Sequence, residues 1–548
     1  MKLRAICLDL GLLAILPIMV FLLFYHPSIL DPNNFGWLLR GSDNGENALG
    51  LHAWLNDPGT GLSLSTRLLN APQSMPLLFT DSNPLLAMLV APLARWMGPN
   101  LQFVGPYVLL CLILQTIFAR ALLRPYAPSR TTLWLGVAVF MLLPSLYVRY
   151  IHANLQSHWL LLWALWVFVD ARRARDPRWW IAVLGVAALI HNYMLLLVAA
   201  VWASAMLERF INERGWRDRS ILVAGAGATA VAVVLIVSRL GIDFDFLPTH
   251  TYGVYGMAMD ALWNPSNPSY SVFLPAIEQQ QGRDFEGFQY LGLGFLVLIA
   301  CVPFVAWRTP PAEPTASLHA RLLWLIPACV VLTVLAISHS LNWQGHTVLL
   351  IRLSYPVLAM LDPIRASGRL FWIVAYVILL AAVTIAYRLS AKRGAQVLLL
   401  VVFVQFMDLT GMMSAIRRVT ADADRYKPFY RTVDPRWATA IANARDVTFA
   451  PAKPTKDLDL FQEVAWRAVA AGKPVRVVYA ARDTLSTLAR LKVEDADFAG
   501  GRLVPDRLYV LLPSTPVPAA ATSRLLTLDG VRVLVPMSKG LSYNRAAR

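Results

Sequence analysis

The chain has 548 residues, of which 57% are hydrophobic and only 15% are charged, and its mean hydropathy is +0.52. Soluble globular domains carry about 25% charged residues, so this composition excludes that class and predicts a multi-pass membrane protein. The net charge is +16, but the arginines lie in short clusters between apolar runs, as the positive-inside rule expects of cytoplasmic loops. Nucleic-acid binding is therefore not predicted.

The four cysteines all lie within apolar runs: Cys7, Cys111, Cys301 and Cys329. Their spacing fits neither a disulfide framework nor a metal site. We interpret them as small apolar packing residues.

The first apolar run, Ile6 to Phe24, is too long for a signal-peptide core, and no cleavage site follows it. We interpret it as a retained anchor. The basic residues Lys2 and Arg4 predict a cytoplasmic N-terminus, which places the loop 26–83 outside. The next run, Pro84 to Met97, has only about 14 residues, which is short for a span. If it crossed, nearly every later arginine cluster would face outward, so we predict that it does not cross.

On this basis we predict about 11 spans, with the N-terminus inside and the C-terminus outside. The predicted spans are Ile6 to Phe24, Leu101 to Leu122, Leu133 to Val148, Trp159 to Val169, two short helices within Trp179 to Met206, Ile221 to Val237, Leu291 to Trp307, Leu322 to Ile337, Leu370 to Tyr387 and Val397 to Met412. The two short helices are predicted to meet outside at His191-Asn192-Tyr193. Further external loops are predicted at 239–290 and 338–369.

From about residue 421 the charge rises and the long apolar runs stop. This change predicts a transmembrane domain over 1–420 and a soluble periplasmic α/β domain over 421–548. The apolar patterns predict strands at Asp446 to Ala450, Val475 to Tyr479, Leu508 to Leu512 and Val531 to Val535, and helices at Leu458 to Ala471 and Thr484 to Leu491. The domain has no Gly-x-Gly-x-x-Gly and no P-loop, so nucleotide binding is not predicted.

On this topology the external side collects the polar residues that no span needs. They are Asp43, Glu46, Asn47, His52, Asp57, Asp81, Arg149, His152, His158, His191, Tyr193, His250, Glu286, His339, His346, Arg352, Arg365 and Arg369. A functional site is therefore predicted to face outward.

Three acidic residues, Asp43, Glu46 and Asp81, lie on the first external loop. A carboxylate at the membrane–water boundary can act as a general base toward an acceptor hydroxyl. The alternative is helix capping: Ser42 or Asp43 precedes a predicted helix, and Asp81 lies in an Asx-type turn before Pro84. The two interpretations are compatible.

His152 and His158 flank the outer end of a predicted span, close to Arg149. Ionisable residues at membrane depth are functional candidates, although interface anchoring is an alternative. His191 lies at a predicted helix break, where backbone groups must line a cavity or be buried in protein. No histidine pair has the spacing to a carboxylate that a zinc site needs, so no zinc site is predicted.

Arg365 and Arg369 are four residues apart, which predicts that they share one helical face. Such a face could hold a phosphate, or its arginines could reach lipid headgroups. Glu286 belongs to the aromatic, glycine-rich loop 239–290. Aromatic faces beside carboxylates suit sugar recognition and also suit an ordinary membrane-interface belt.

Four motifs carry a resemblance to a known family: Phe79-Thr80-Asp81-Ser82-Asn83-Pro84, His152 with His158-Trp159, Glu286 to Gly294, and Arg365 to Trp372. In these motifs the chain resembles a bacterial family of polytopic membrane proteins, the domain of unknown function 6311. The resemblance covers nearly the whole chain, including the C-terminal domain.

The layout is also similar to that of the C-type glycosyltransferases, which have many spans, an acidic first external loop and often a soluble outer domain. This resemblance implies inverting transfer of a sugar from a polyprenyl-phosphate carrier. Asp43 matches the position of their first-loop acid and would be the general base, with Glu46 and Asp81 as further catalytic candidates. The usual acidic pair is here Asp43-Asn44. The base assignment and a divalent cation therefore stay open, and no other cofactor is implied.

The same resemblance implies that Arg369, with Arg365 or Arg352, holds the lipid phosphate. The other predicted substrate-binding residues are His52, Arg149, His152, His158, His191, Tyr193 and Glu286. The expected location is a bacterial inner membrane, and the expected acceptor is an envelope glycan, a lipid or a protein. Two alternatives stay open: a transporter or flippase for a lipid-linked glycan, and an assembly subunit.

Overall fold

The computed structural model describes residues 2–59, 63–98, 100–242, 245–280, 282–421, 427–480, 482–519 and 524–535. The helices in chain order are α1 (Lys2–Phe24), α2 (Asp43–Asn56), α3 (Pro84–Met97), α4 (Val104–Leu123), α5 (Arg130–Met141), α6 (Pro144–Tyr147), α7 (Trp159–Phe168), α8 (Ala171–Arg175), α9 (Pro177–Ile190), α10 (Asn192–Asn212), α11 (Trp216–Ser238), α12 (Leu293–Arg308), α13 (Thr315–Leu322), α14 (Ile326–Ile337), α15 (Tyr355–Leu361), α16 (Trp372–Ala386), α17 (Ala391–Asp408), α18 (Thr410–Ala421), α19 (Arg436–Ala442), α20 (Leu458–Ala470) and α21 (Leu485–Ala499). The strands are β1 (Ser65–Thr66), β2 (Met75–Pro76), β3 (Ser340–Trp343), β4 (His346–Leu350), β5 (Asp446–Ala450), β6 (Arg507–Leu511), β7 (Leu525–Leu528) and β8 (Val531–Leu534).

The chain divides into two compact units. The first unit comprises Met1–Pro27, Pro106–Ile236 and Pro248–Asp422, and the second comprises Ser28–Gly105, Val237–Leu247 and Ala423–Arg548. The second unit therefore contains most of the predicted first external loop as well as the C-terminal region. The predicted boundary near residue 420 falls at the last junction between the units.

The described helices include six that are long and apolar enough to cross a membrane, or eight if two bent pairs each count as one span. The chain is thus a multi-pass membrane protein in outline. Some predicted spans are short helices in the structure: α7 has 10 residues, which is about 15 Å, half of the hydrocarbon thickness. The prediction of 11 spans therefore exceeds what length and composition support.

The predicted helix break at His191 is present, between α9 and α10. His191 has an extended backbone, with φ −166° and ψ 138°, and its side chain accepts a hydrogen bond from the amide of Tyr193. The prediction of two short helices is wrong for α10, which has 21 residues and can cross by itself. A second break separates α5 from α6, where the axis bends by 48° just before Pro144, because proline cannot continue the hydrogen-bond ladder.

A buried network joins the end of α17 to the loop before α12. Asp408 accepts hydrogen bonds from Tyr290 Oη at 2.6 Å, from Ser271 Oγ at 2.5 Å and from the amide of Leu293 at 2.9 Å. Leu293 is the first residue of α12, so the carboxylate also lies where the helix dipole favours negative charge. This network fixes the loop that carries Glu286.

Replacing Asp408 with alanine is expected to lower the free energy of unfolding by about 3 kcal/mol, because three donors lose a charged acceptor. Tyr290→Phe removes only one of these bonds and is expected to cost about 1 kcal/mol. The measurement is thermal unfolding of the purified protein in detergent, followed by tryptophan fluorescence. Equal unfolding temperatures for both variants and the wild type would contradict the network.

In the second unit, β5 to β8 form a four-stranded sheet in the order β5-β6-β8-β7, and β1 and β2 form a separate two-stranded sheet. The pair β5/β6 is parallel, and the pairs β6/β8 and β8/β7 are antiparallel. The prediction of a strand at Val475 to Tyr479 is wrong: Val475 makes only isolated bridges, to Leu69 and Val447. The strand β7 was not predicted. Helix α20 packs against both the sheet and α2.

Candidate functional site

The carboxylate cluster consists of Asp43, Glu46 and Asp81, all in the second unit. Asp43 and Glu46 lie three residues apart in the first turn of α2, so they share one face of the helix. Asp81 lies in a tight turn with φ +52°, a left-handed conformation that aspartate tolerates better than most residues. The turn is tied to α2 because Ser82 Oγ donates to the carbonyl of Asn47 at 2.7 Å.

Gly50 is what allows the turn to approach α2 so closely. A Cβ atom at this position would lie 1.9 Å from Thr80 Oγ1 and 2.3 Å from Ser82 Oγ. A larger residue would therefore displace the turn that carries Asp81.

The capping interpretation accounts for little of the cluster. Ser42 is at the N-cap position of α2, but its side chain makes no capping hydrogen bond to the described residues. At the start of α3 the cap is Asn83, whose side chain accepts from the amide of Leu86 at 3.0 Å. Asp81 is thus not the residue that caps α3.

Glu46 is the most unusual member of the cluster. It is only 2% exposed, and neither carboxylate oxygen has a hydrogen-bond partner among the described residues. Burial, with the negative charges of Asp81 and Asp43, raises the pKa of Glu46 well above its ordinary value. A buried carboxyl of this kind retains its proton at a pH where an exposed glutamate is ionised.

A tyrosine that the sequence did not single out completes the cluster. Tyr479 Oη lies 3.3 Å from Asp43 Oδ1 and donates to it. Burial, with the charge of Asp43, raises the pKa of Tyr479, so the phenol stays protonated. Nothing in the sequence around Tyr479 predicted this contact, because it joins positions 436 residues apart.

A divalent cation would need several carboxylate oxygens close together. Asp43, Glu46 and Asp81 do not bring three ligand atoms close enough to share one ion.

His52 is placed in the packing between α2 and α20. Its ring stacks on Trp466 with centroids 3.9 Å apart, and Nε2 lies 3.3 Å from the carbonyl oxygen of Trp466. The geometry gives His52 a packing role.

The arginine triad consists of Arg149, Glu286 and Arg369, all in the first unit. Arg369 binds Glu286 in a bidentate manner, through Nε at 2.7 Å and Nη2 at 2.5 Å. Arg149 Nη1 lies 3.0 Å from the same carboxylate. Burial acts to raise the pKa of Glu286, but the charges of Arg149 and Arg369 outweigh it and hold the pKa well below its ordinary value. Glu286 is therefore ionised at any physiological pH.

Two glycines bring the segments of the triad together. A Cβ atom on Gly368 would lie 2.6 Å from the carbonyl oxygen of Glu286 and 2.7 Å from Gly287 Cα. Gln289 Nε2 donates to the carbonyl of Gly368 at 2.7 Å. The close approach explains why the motif around Glu286 and the motif around Arg369 both contain a glycine beside the charged residue.

Aromatic rings surround the guanidinium groups of the triad. The ring centroids of Phe285 and Trp372 lie 4.4 Å and 5.3 Å from Arg149 Cζ, and the ring of Tyr193 lies 4.8 Å from Arg369 Cζ. Tyr193 Oη also accepts a hydrogen bond from the amide of Ala366 at 2.9 Å. Cation–π contacts of this kind stabilise guanidinium groups away from water.

The three predicted histidines are all buried in the first unit. The rings of His152 and His191 lie 5.8 Å apart in an edge-to-face arrangement. His158 is separate from them: its Nδ1 lies 3.0 Å from Tyr376 Oη, which in turn accepts from Gln115 Nε2 at 2.9 Å. The His158 network ties α16 to α4.

The prediction of one helical face for Arg365 and Arg369 is wrong. Ala366, between them, has non-helical angles of φ −81° and ψ 59°, and a 3₁₀ turn follows over Ser367–Phe371. Arg365 is half-buried and Arg369 is buried. Arg352 is exposed and follows β4.

A separate cavity of about 550 Å³, lined by both apolar and charged side chains, lies in the first unit. Its lining includes Trp166, two residues before the end of α7, and Glu208, near the end of α10. His158 and His191 precede the other ends of the same helices. Arg321 pairs with Glu208 at 2.8 Å. Polar side chains are thus present at both ends of α7 and α10.

The comparisons with known proteins concern the whole chain. The sequence profile described as "Domain of unknown function (DUF6311)" matches residues 14–410. The profile described as "DUF6311 C-terminal domain" matches residues 436–536. No curated protein matches the chain.

Proposed function

The chain belongs to the DUF6311 family, and we propose that it is a membrane glycosyltransferase that moves a sugar from a polyprenyl-phosphate carrier to an envelope glycan, lipid or protein. One observation carries the proposal: a buried, unpaired Glu46 lies beside two other carboxylates and a protonated tyrosine. Strongly perturbed carboxyl groups that cluster in this way are typical of acid–base sites.

In the proposed reaction Asp43 is the general base, because it is half-buried and can meet an acceptor. Asp43 takes the proton of the acceptor hydroxyl, the hydroxyl oxygen bonds to the anomeric carbon with inversion, and the bond from that carbon to the carrier phosphate breaks. Glu46 is a positioning residue: while its buried carboxyl, one turn along α2, keeps its proton, Asp43 has an uncharged neighbour rather than a second negative charge beside it. General bases contribute about 10²–10⁴-fold to such reactions.

The arginine triad is proposed to stabilise the phosphate that leaves. Glu286 fixes the planes of both guanidinium groups, so their positive charge needs no rearrangement during the reaction. Arg365 and Arg352 are the more exposed candidates for direct contact with the lipid phosphate.

The finer topology belongs to the same proposal. Eleven spans, an inner-membrane location and an external C-terminal domain would place the carboxylate cluster on the side where lipid-linked sugars are used. The arginine clusters of the predicted cytoplasmic loops support this orientation.

The test is mass spectrometry of envelope glycans from a deletion strain, complemented with wild type or with Asp43→Asn at matched expression. We expect one sugar to disappear in the deletion, to return with wild type and to stay missing with Asp43→Asn. Asp57→Asn is the matched control, since Asp57 closes α2 and binds Arg67 at 2.9 Å. Full restoration by Asp43→Asn would overturn the base assignment.

A second candidate function is transport of a lipid-linked glycan across the membrane. The observation that favours it is the cavity at the far ends of α7 and α10, since a transporter needs polar groups at both membrane surfaces. An assay in detergent micelles discriminates the two functions, because micelles do not separate two aqueous compartments. An enzyme forms product from a short-chain polyprenyl-phosphate sugar in micelles, whereas a transporter acts only in sealed vesicles.

A further inference from the structure

The segment 338–366 connects two candidate membrane spans, Thr315–Ile337 and Ser367–Ala386. It forms a hairpin, β3 and β4, followed by the short helix α15. The turn between the strands has φ +48° at Gln344 and φ +79° at Gly345, which is the type I′ geometry that suits tight hairpins. The segment is therefore an ordered element whose two ends are both held at the membrane.

The outer strand of this hairpin is apolar and exposed on both faces. Every residue of β4 is exposed, and Val348, Leu349, Leu350 and Ile351 are each between 51% and 63% exposed. Neighbouring residues of a strand point to opposite faces. Neither face of β4 is thus covered by the described residues.

Helix α15 continues the same surface. None of its residues is buried, and Tyr355 and Met360 are largely exposed. Trp343, at the hairpin turn, meets Trp263 edge-to-face at 5.7 Å, and both indole rings are partly exposed. A contiguous apolar surface formed by a whole strand and a helix is rare on parts of a protein that face water. Tryptophan and tyrosine are enriched at membrane interfaces.

The hydrogen bonds of β3, the inner strand of the hairpin, and of β4 limit how deep the hairpin can lie in the membrane. The carbonyl oxygens of Asn342 and Ser340 accept hydrogen bonds from the amide of Met259 at 2.8 Å and from Arg283 Nη2 at 3.1 Å. The outer edge of β4 has no partner strand among the described residues. Unpaired backbone groups are not stable in the hydrocarbon core. The edge of β4 therefore fits the headgroup region, where phosphates and water can satisfy it.

We propose that the 338–366 segment inserts into the membrane interface, with the unpaired backbone edge of β4 and Arg352 at the lipid headgroups and the apolar side chains of β4 and α15 among the upper acyl chains. The occupant is bilayer phospholipid, because the segment is continuous with membrane spans at both ends. Arg352 is separated from the end of β4 only by the apolar Ile351, so its aliphatic stem can lie along the acyl region while the guanidinium binds a phosphate. The proposal holds whether the protein is an enzyme or a transporter.

The test is site-directed spin labelling of the full chain in phospholipid nanodiscs, after Cys7, Cys111, Cys301 and Cys329 are replaced with alanine. Single labels are placed at Val348→Cys and Leu349→Cys, which lie on opposite faces of β4. The lipid reference is Val234→Cys, on an exposed face of the span α11, and the aqueous reference is Lys492→Cys, on α21. Accessibility to oxygen and to a water-soluble nickel chelate is compared at each position.

Both hairpin labels are expected to match the lipid reference, with high oxygen and low nickel accessibility. Their depth is expected to be about 5–10 Å below the phosphate level, as for other interfacial elements. Nickel accessibility like that of the Lys492→Cys label would overturn the proposal and show a water-facing strand. Low accessibility to both reagents would overturn it as well, because it would mean that protein covers β4.

Discussion

The Glu46→Met variant is expected to unfold at a higher temperature than the wild type at pH 8 and to transfer sugar about 100-fold more slowly. The reason for the first effect is the sign of the pKa shift. Burial, with the charges of Asp81 and Asp43, raises the pKa of Glu46, so the folded state retains a proton that the unfolded state releases. The free energy of unfolding therefore falls as pH rises from about 4.3, the ordinary pKa of glutamate, toward the pKa of Glu46 in the folded state. Above that folded-state pKa the loss of stability is complete. Methionine has a similar volume and no charge, so it removes this loss, which we expect to be about 1–3 kcal/mol.

Glu463 provides the matched control, because it is also fully buried but lies on the facing helix α20. Its carboxylate accepts from the amides of Tyr430 and Arg431 at 2.8 Å and 2.9 Å and from Thr432 Oγ1 at 3.0 Å. Glu463→Met leaves these donors without an acceptor and is expected to lower the free energy of unfolding by about 3 kcal/mol or more. A higher unfolding temperature for Glu46→Met and a lower one for Glu463→Met would distinguish a buried carboxyl without hydrogen-bond partners from one with partners.

The pH dependence of transfer distinguishes a role for Glu46 in the reaction from a purely structural role. Glu46 carries no charge while it keeps its proton, and its ionisation at higher pH adds a second negative charge beside Asp43. Glu46→Met is therefore expected to remove the change in transfer rate on the alkaline side of the pH profile. An alkaline side that is the same in Glu46→Met and the wild type would contradict the proposed coupling.

The elements that the sequence predicted well are those with a local signal. The strand at Asp446–Ala450 and the helix that begins at Leu458 were predicted within one residue, because apolar spacing and flanking turn residues mark them. The break at His191 followed from an apolar run too long for one span. Val475 to Tyr479 has the composition of a strand, but the chain there pairs only at single bridges, and that outcome depends on tertiary contacts.

The side-chain partnerships could not be predicted in this way. Arg149 and Glu286 are 137 residues apart, and Glu286 and Arg369 are 83 residues apart. The sequence identified all three as polar residues on predicted external loops. It predicted that Arg369 binds a phosphate and that Glu286 takes part in sugar recognition. The structure joins them to each other. The error for Arg365 and Arg369 has a local cause, since a four-residue spacing defines a face only where the backbone is helical, and Ala366 is not.

The arginine triad leads to the second large effect, a strong loss of stability in Glu286→Gln. The substitution keeps the shape of the side chain but removes the negative charge that two buried guanidinium groups share. Removing one partner of a buried ion pair costs about 3–5 kcal/mol, since the remaining charge is left without its counter-charge. We expect a loss of this size in thermal unfolding of the detergent-purified protein. Glu278→Gln, on an exposed position of the same loop, is the control and is expected to behave as the wild type.

The pH dependence and a triple variant complete this test. The charges of Arg149 and Arg369 lower the pKa of Glu286, so its stabilisation is present above about 4.3 and is lost as pH falls toward the folded pKa. Glu286→Gln should not show this loss of stability at acid pH.

Replacing Arg149, Glu286 and Arg369 together with methionine removes every charge of the triad and is expected to recover most of the stability, as buried ion pairs often tolerate apolar replacement. If the triple variant is stable but does not restore the glycan, the triad serves the reaction as well as the fold. If it restores the glycan, the triad is structural alone.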